Sequence, residues 1–246
     1  MHGAFETPVL INIPGIPAII TMTWLAMLVL IVLSLAVRRR LSVVPGPLQN
    51  AFEFIMEFFT HMVETIMGPA GAGFIPFLGT LFLLILICNI MGIVPGLSAP
   101  TASLNTTVAL ALVVFIASHY YGIKNRGLKG YIRHYTGDSI FLAPLMFFTH
   151  FIGELARPFS LAVRLFANVV GDDLSLAIIL TILPLIAKLI LPLLLPPFMM
   201  LIGMLIAFIQ ALVFAILAAI YMADLAGFSE ANEMFIHCSE ISQSNE

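Results

Sequence analysis

Long apolar runs separated by short polar stretches set the pattern of this chain. The first run, Ala18 to Val37, has about the length that crosses a bilayer as a helix. It stops at Arg38, Arg39 and Arg40. Short basic loops lie on the cytoplasmic side of a membrane, so the N-terminus is expected outside and the C-terminus in the cytoplasm. Met1 to Pro8 carries Glu6 and no Lys or Arg, so this run is expected to stay as an anchor rather than serve as a cleaved signal. Pro45-Gly46-Pro47 then breaks the chain.

Residues 48 to 67 follow a different pattern. On a helical wheel Gln49, Asn50, Glu53, Glu57, Thr60, His61 and Glu64 share about a third of the circumference. Phe52, Ile55, Met56, Phe58, Phe59, Met62, Val63 and Ile66 take the other side. This predicts an amphipathic helix lying on the membrane surface. Its polar face is acidic, which suits a protein neighbour better than anionic lipid.

No charged residue occurs between Phe74 and Ile123. Two spans fit there, residues 77–94 and 104–121, linked by the Gly-, Pro- and Ser-rich stretch from Pro95 to Ser103. A second basic loop follows with Lys124, Arg126, Lys129 and Arg133, on the side that two further crossings require. From Phe141 to Met222 the chain is apolar again, interrupted by Pro144, Pro158, Pro184, Pro192, Pro196 and Pro197. Hydropathy alone permits four upright spans or two long tilted helices. The tail, residues 225–246, is polar. Residues 1–246 are read as a single membrane domain.

Composition agrees. Hydrophobic residues make up 61% of the 246 and charged residues 9%, against roughly 25% charged in a soluble domain. A soluble enzyme, a nucleic-acid binder and a disordered chain are excluded. The net charge of −3 says little about partners. Cys88 and Cys238 suit neither a disulfide framework nor a metal site.

The most informative stretch is His150 to Ser175. Glu154, Arg157, Arg164, Asp172 and Asp173 all lie inside an apolar run. Exposed to lipid at mid-bilayer, five ionised groups cost about 12 kcal/mol or more together, so they must face protein or water. On one continuous helix, His150, Glu154, Arg157, Arg164, Asn168, Asp172 and Ser175 fall in a stripe about 80° wide, provided Pro158 bends the helix without ending it. Asp173 lies off it. Such a helix is roughly 39 Å long and marks a polar route through the membrane. Glu154, Asp172, Asp173 and His150 can exchange protons if their surroundings tune them. Arginine cannot. Arg164 is therefore a fixed positive charge among titratable groups, which is the physics of a gate. The blander reading pairs Arg157 and Arg164 with Glu154 and Asp172 as structural ion pairs. In the last span Gln210 is the one strongly polar interior group, sharing a stripe with Gly203, Tyr221 and Asp224. It can bond across to the charged helix, or simply join two helices. A cation-coupled secondary transporter is an alternative function, although no inverted repeat is visible. An intramembrane serine protease built on Gly96-Leu97-Ser98-Ala99 lacks the second glycine, and its base, His119 or His150, is unproven.

Ser160-Leu161-Ala162-Val163-Arg164-Leu165-Phe166-Ala167-Asn168 resembles the signature of subunit a of the rotary ATP synthase. Pro45-Gly46-Pro47-Leu48-Gln49-Asn50 with Glu53, Asn89-Ile90-Met91-Gly92-Ile93-Val94-Pro95, Glu154 with Arg157-Pro158, Ile209-Gln210-Ala211 and Ala219-Ile220-Tyr221 resemble further segments of that family. The resemblance runs over residues 18 to 227. It implies an all-α membrane protein with one N-terminal span (18–37), a surface helix (48–67), an upright hairpin (77–94 and 104–121) and two long tilted helices (about 141–188 and 191–224). It implies a multi-pass protein of the bacterial inner membrane. It also implies a non-catalytic stator subunit without a cofactor. Its partners would be the c-ring, the peripheral stalk b subunits and lipid, with no nucleic acid, and it would carry protons or sodium ions. Arg164 matches the arginine that faces the ring carboxylate and keeps two half-channels apart, Gln210 the glutamine opposite it, and Asn168 lies one turn on. Nine residues after the arginine the family often has Glu or His. That count picks Asp173, whereas the wheel picks Asp172, and both are retained. Some members carry a His or an acid where this chain has Gly203.

Overall fold

The computed structural model describes residues 17–39, 46–94, 97–136, 143–182 and 187–227. Among them are six α-helices and no strand: α1 (Ala18–Arg39), α2 (Pro47–Met67), α3 (Ile75–Ile93), α4 (Leu104–Thr136), α5 (Ala143–Ile182) and α6 (Ala187–Ala226). Short 3₁₀ turns occupy Pro69–Phe74 and Pro100–Ala102. The chain is an all-α membrane protein. Ala18–Arg39, Gly71–Ile93, Leu104–Leu128 and Met200–Ala226 are each long and apolar enough to cross a bilayer. The apolar stretch that hydropathy left undecided holds two long helices, α5 and α6. Pro158 lies inside α5, and the helix continues past it.

The helix ends follow local chemistry. Arg38 and Arg39 occupy the last turn of α1, where positive charge meets the negative end of the helix dipole. α2 opens on Pro47, whose missing N–H costs nothing at the first helical position. It closes at Gly68, with φ of 68°, whose N–H donates to the Glu64 carbonyl at 2.9 Å.

The chain forms two compact units. One gathers α1, the part of α3 from Phe82, the start of α4 to Ala109, and the stretch Leu161–Phe214. In it Met22 and Ala26 of α1 pack on Cys88 and Met91 of α3, flanked by Leu84, Ile87 and Leu97. The Gly- and Pro-rich link after α3 is tied down. Thr101 Oγ1 donates to Asn89 Oδ1 at 2.8 Å, with both side chains buried. A Cβ on Gly92 would lie 2.7 Å from the Ala99 Cβ, so this close approach requires glycine. Phe82 and Phe208 meet edge to face.

The other unit gathers α2, the stretch up to Leu81, Leu110–Ser160 and α6 from Ala215. Here α2 presents three sectors rather than the two expected. Phe59, Val63 and Met67 are buried, Phe54 and Phe58 are exposed apolar, and Glu53, Glu57, His61 and Glu64 are exposed polar. A helix lying in an interface between protein, lipid and water needs those three faces. Gly71 lets the 3₁₀ turn close on α2, since a Cβ there would come within 2.5 Å of the Met67 Cβ. Gly122 on α4 likewise lies against Leu225 on α6, whose buried face is lined by Ala215, Ala218, Ala219, Met222 and Ala226.

One expectation is corrected. The basic stretch from Lys124 to Arg133 lies within α4 rather than in a loop. At Gly127, φ of 68° and ψ of 163° are not helical, so the backbone kinks there between two helical segments of α4. Glycine takes a positive φ at little cost, so the chain redirects there and a helical segment resumes beyond it.

Candidate functional site

The polar residues of α5 and α6 meet in two clusters, one in each unit. In the unit that holds Leu161–Phe214, Asn168 Nδ2 donates to Gln210 Oε1 at 2.6 Å. Gln210 is 5% exposed, so the amide carbonyl it buries is satisfied across the helix pair. Arg164 lies one turn before Asn168, and its side chain is exposed on the isolated chain, as are Val163 and Ala167 beside it. Among the described residues nothing forms a hydrogen bond or an ion pair with Arg164. Leu161, Ala162 and Leu165 are buried on the other side of the helix and hold this orientation. A guanidinium is thus presented outward from an apolar helix, next to a part-buried amide pair.

The cluster in the other unit is built around Arg157. Its Nη1 donates to Glu154 Oε1 at 2.9 Å, and its Nη2 donates to Asp224 Oδ2 at 2.7 Å. The guanidinium lies over the Tyr221 ring, 5.0 Å from the centroid. Glu154 is 7% exposed and has His119 Nε2 at 4.0 Å from its Oε2. Arg126 Nη2 donates to the Asp224 main-chain carbonyl at 3.1 Å, fastening the end of α6 to α4.

Of the residues singled out by sequence, Arg164, Asn168 and Gln210 belong to one unit, and the amide bond joins the latter two. Glu154 belongs to the other, held by Arg157 as the ion-pair reading required. His150 is exposed, one turn before Glu154 on α5. Asp172 and Asp173 lie on α5, and their side chains fall outside the described residues. Sequence reasoning placed Asp224 and Tyr221 on the Gln210 stripe but did not join them to Arg157. It also missed His119 as a neighbour of Glu154. The available signal was a titratable side chain within an otherwise uncharged span.

The sequence pattern of the ATP synthase A chain family matches residues 20–223. ATP synthase subunit a of Citrifermentans bemidjiense is 46% identical over 162 residues, which is 66% of this chain and 70% of that protein. ATP synthase subunit a 1 of Syntrophotalea carbinolica is 46% identical over 166 residues, 68% of this chain and 70% of its own. ATP synthase subunit a of Geobacter sulfurreducens is 42% identical over 165 residues, 67% and 72% of the two chains. A multi-pass helical architecture, an outward-facing arginine in the Ser160–Asn168 motif and a match along most of the chain agree, and the protein belongs to the ATP synthase A chain family.

Proposed function

We propose that this chain is the stator subunit of the membrane sector of a bacterial ATP synthase, lining two proton half-channels that reach a c-ring and are kept apart by Arg164. The observation that carries the reading is an exposed arginine without a partner among the described residues, set in an apolar helix. A permanent cation there is costly against lipid. Facing a passing carboxylate, the same cation attracts the carboxylate charge and promotes release of its proton.

The cycle follows from local preferences. A protonated, neutral ring carboxyl can turn through lipid, and a charged one cannot. Near Arg164 the carboxyl loses its proton to one half-channel. It regains one from the other half-channel before re-entering lipid. Arg164 blocks a direct path between the two because it cannot release its own proton. Membrane potential contributes about 2.3 kcal/mol per proton per 100 mV to the drive. No ATP bond is made or broken by this chain.

In this arrangement Gln210 and Asn168 set the polar floor beside Arg164. His150 and Glu154, before Arg164 on α5, serve one half-channel, and Asp172 with Asp173, after it, serve the other. The N-terminus faces outside and the C-terminus the cytoplasm of the inner membrane. The acidic face of α2 points toward the peripheral stalk b subunits. Residues 1–246 act as one membrane domain. The carried ion is a proton, with sodium the alternative set by the ring.

The test is Arg164→Ala in the assembled complex reconstituted into liposomes. ATP-driven acidification should be lost while ATP hydrolysis by the soluble subunits persists. Normal pumping by that variant contradicts the assignment.

A further inference from the structure

The Arg164 gate makes no use of His119, the histidine inside the otherwise uncharged run that ends at Ile123. Its ring is fixed by two neighbours. Nδ1 lies 2.9 Å from the Phe115 carbonyl oxygen, one turn back on α4. A carbonyl only accepts, so this contact requires the proton on Nδ1. In a neutral imidazole the other nitrogen then carries a lone pair. That nitrogen, Nε2, faces the Glu154 carboxyl, 4.0 Å from Oε2. A lone pair aimed at a carboxylate is repulsive, whereas one proton between them makes the contact attractive. A side-chain adjustment of about 1 Å closes it to a hydrogen bond.

The charges around the pair favour the same proton. On α5, Arg157 holds Glu154 through Oε1 and leaves Oε2 to His119. From α6, Asp224 takes the second arm of Arg157, and Tyr221 lies under the guanidinium. Glu154, Asp224 and Arg157 sum to minus one, with the Arg126 guanidinium one contact further out on the Asp224 main-chain carbonyl, so a proton on the His119–Glu154 pair offsets the charge local to Glu154. Glu154 is buried while Arg157 and Asp224 are half-buried, so the proton at Glu154 is the one favoured by removal from water. His150 adds a titratable group one turn before Glu154, and Tyr131 of α4 approaches the His119 ring at 6.1 Å between centroids. Arg126 is directed to the main-chain carbonyl of Asp224.

We propose that His119 and Glu154 share one exchangeable proton and form a proton-holding station, with His119 a relay residue on α4. The transfer needs no other reactant. The O–H bond at Glu154 Oε2 breaks as the N–H bond at His119 Nε2 forms, and the proton on Nδ1 stays on the Phe115 carbonyl. Because Arg157 is occupied by both carboxylates, it fixes Glu154 Oε1 while Oε2 exchanges. The station's part in ion flow rests on the proton-carrying reading above.

The experiment uses the assembled complex in liposomes and follows passive proton flux under a potassium diffusion potential. His119→Gln and Glu154→Gln should each lower the flux by about tenfold. The double variant should be no slower than either single, since the two residues act as one unit. Wild-type flux in an assembled His119→Gln complex overturns the station, and a loss of ATP-driven pumping in Arg164→Ala alongside it leaves the gate standing. Normal ATP-driven pumping in Arg164→Ala sinks the gate instead. Should His119→Gln fail to assemble, ¹⁵N-histidine solid-state NMR on wild type and Glu154→Gln decides. A permanently protonated Nδ1 and an Nε2 proton at neutral pH that disappears in Glu154→Gln support the station. An Nε2 state indifferent to Glu154→Gln overturns it.

Discussion

Arg157 and Arg164 lie about two turns apart on α5 and meet opposite surroundings. Arg157 is clasped by Glu154 and Asp224 at 2.9 and 2.7 Å and rests on the Tyr221 ring. Arg164 is exposed, beside a part-buried Asn168–Gln210 pair that accepts no hydrogen bond from it. The first charge is spent inside the chain, joining α5 to α6. Among the described residues nothing supplies a counter-charge to the second. An arginine in an apolar helix is therefore no functional signal by itself. What separates a clasp from a gate is whether the chain supplies the counter-charge.

The contrast can be broken or sharpened by substitution. Arg164→Lys keeps the charge but loses the planar fork and desolvates differently, so ATP-driven pumping should fall by about a hundredfold in reconstituted vesicles. Near-normal pumping would mean that any cation serves and would weaken the parallel with a ring-facing guanidinium. Arg157→Ala strands a buried Glu154 and should cost about 3 kcal/mol, read as earlier thermal unfolding in detergent. Arg164→Ala in the same assay should leave the unfolding temperature of the isolated chain unchanged. Asp224→Asn removes one of two carboxylates from a half-exposed pair, and about 1 kcal/mol is expected. Asn168→Ala removes a single interhelical hydrogen bond, worth about 0.6 kcal/mol in stability.

Much of this was legible before any coordinates. The wheel placed Arg164 and Asn168 on one face of a continuous α5, and an uninterrupted helix through Pro158 is what the structure has. Gln210 reads either as a partner of that helix or as a plain link between two helices, and it accepts a hydrogen bond from Asn168. The resemblance carried by Ser160–Asn168 points to the family that the match over residues 20–223 shows. The rest escaped for physical reasons. Hydropathy reports the local cost of leaving water and says nothing of partners across helices, so the contact of His119 with Glu154 was invisible. Glycine reads as a breaker, and Gly127 does interrupt the helix, yet the basic segment resumes as helix on its far side. The link after α3 reads as a loose turn because its composition hides the buried Thr101–Asn89 bond. On α2, the wheel separated polar from apolar but could not divide apolar residues that pack, such as Phe59, from those that stay exposed, such as Phe54.

The central claim concerns where the Arg164 guanidinium points once the chain has its neighbours. A structure of the assembled complex, resolved well enough to place that side chain, measures it directly. The account predicts a ring carboxylate within about 4–6 Å of the guanidinium, close enough to shift its proton equilibrium. An Arg164 turned toward lipid headgroups or bulk water, with no carboxylate from another subunit in reach, would contradict it.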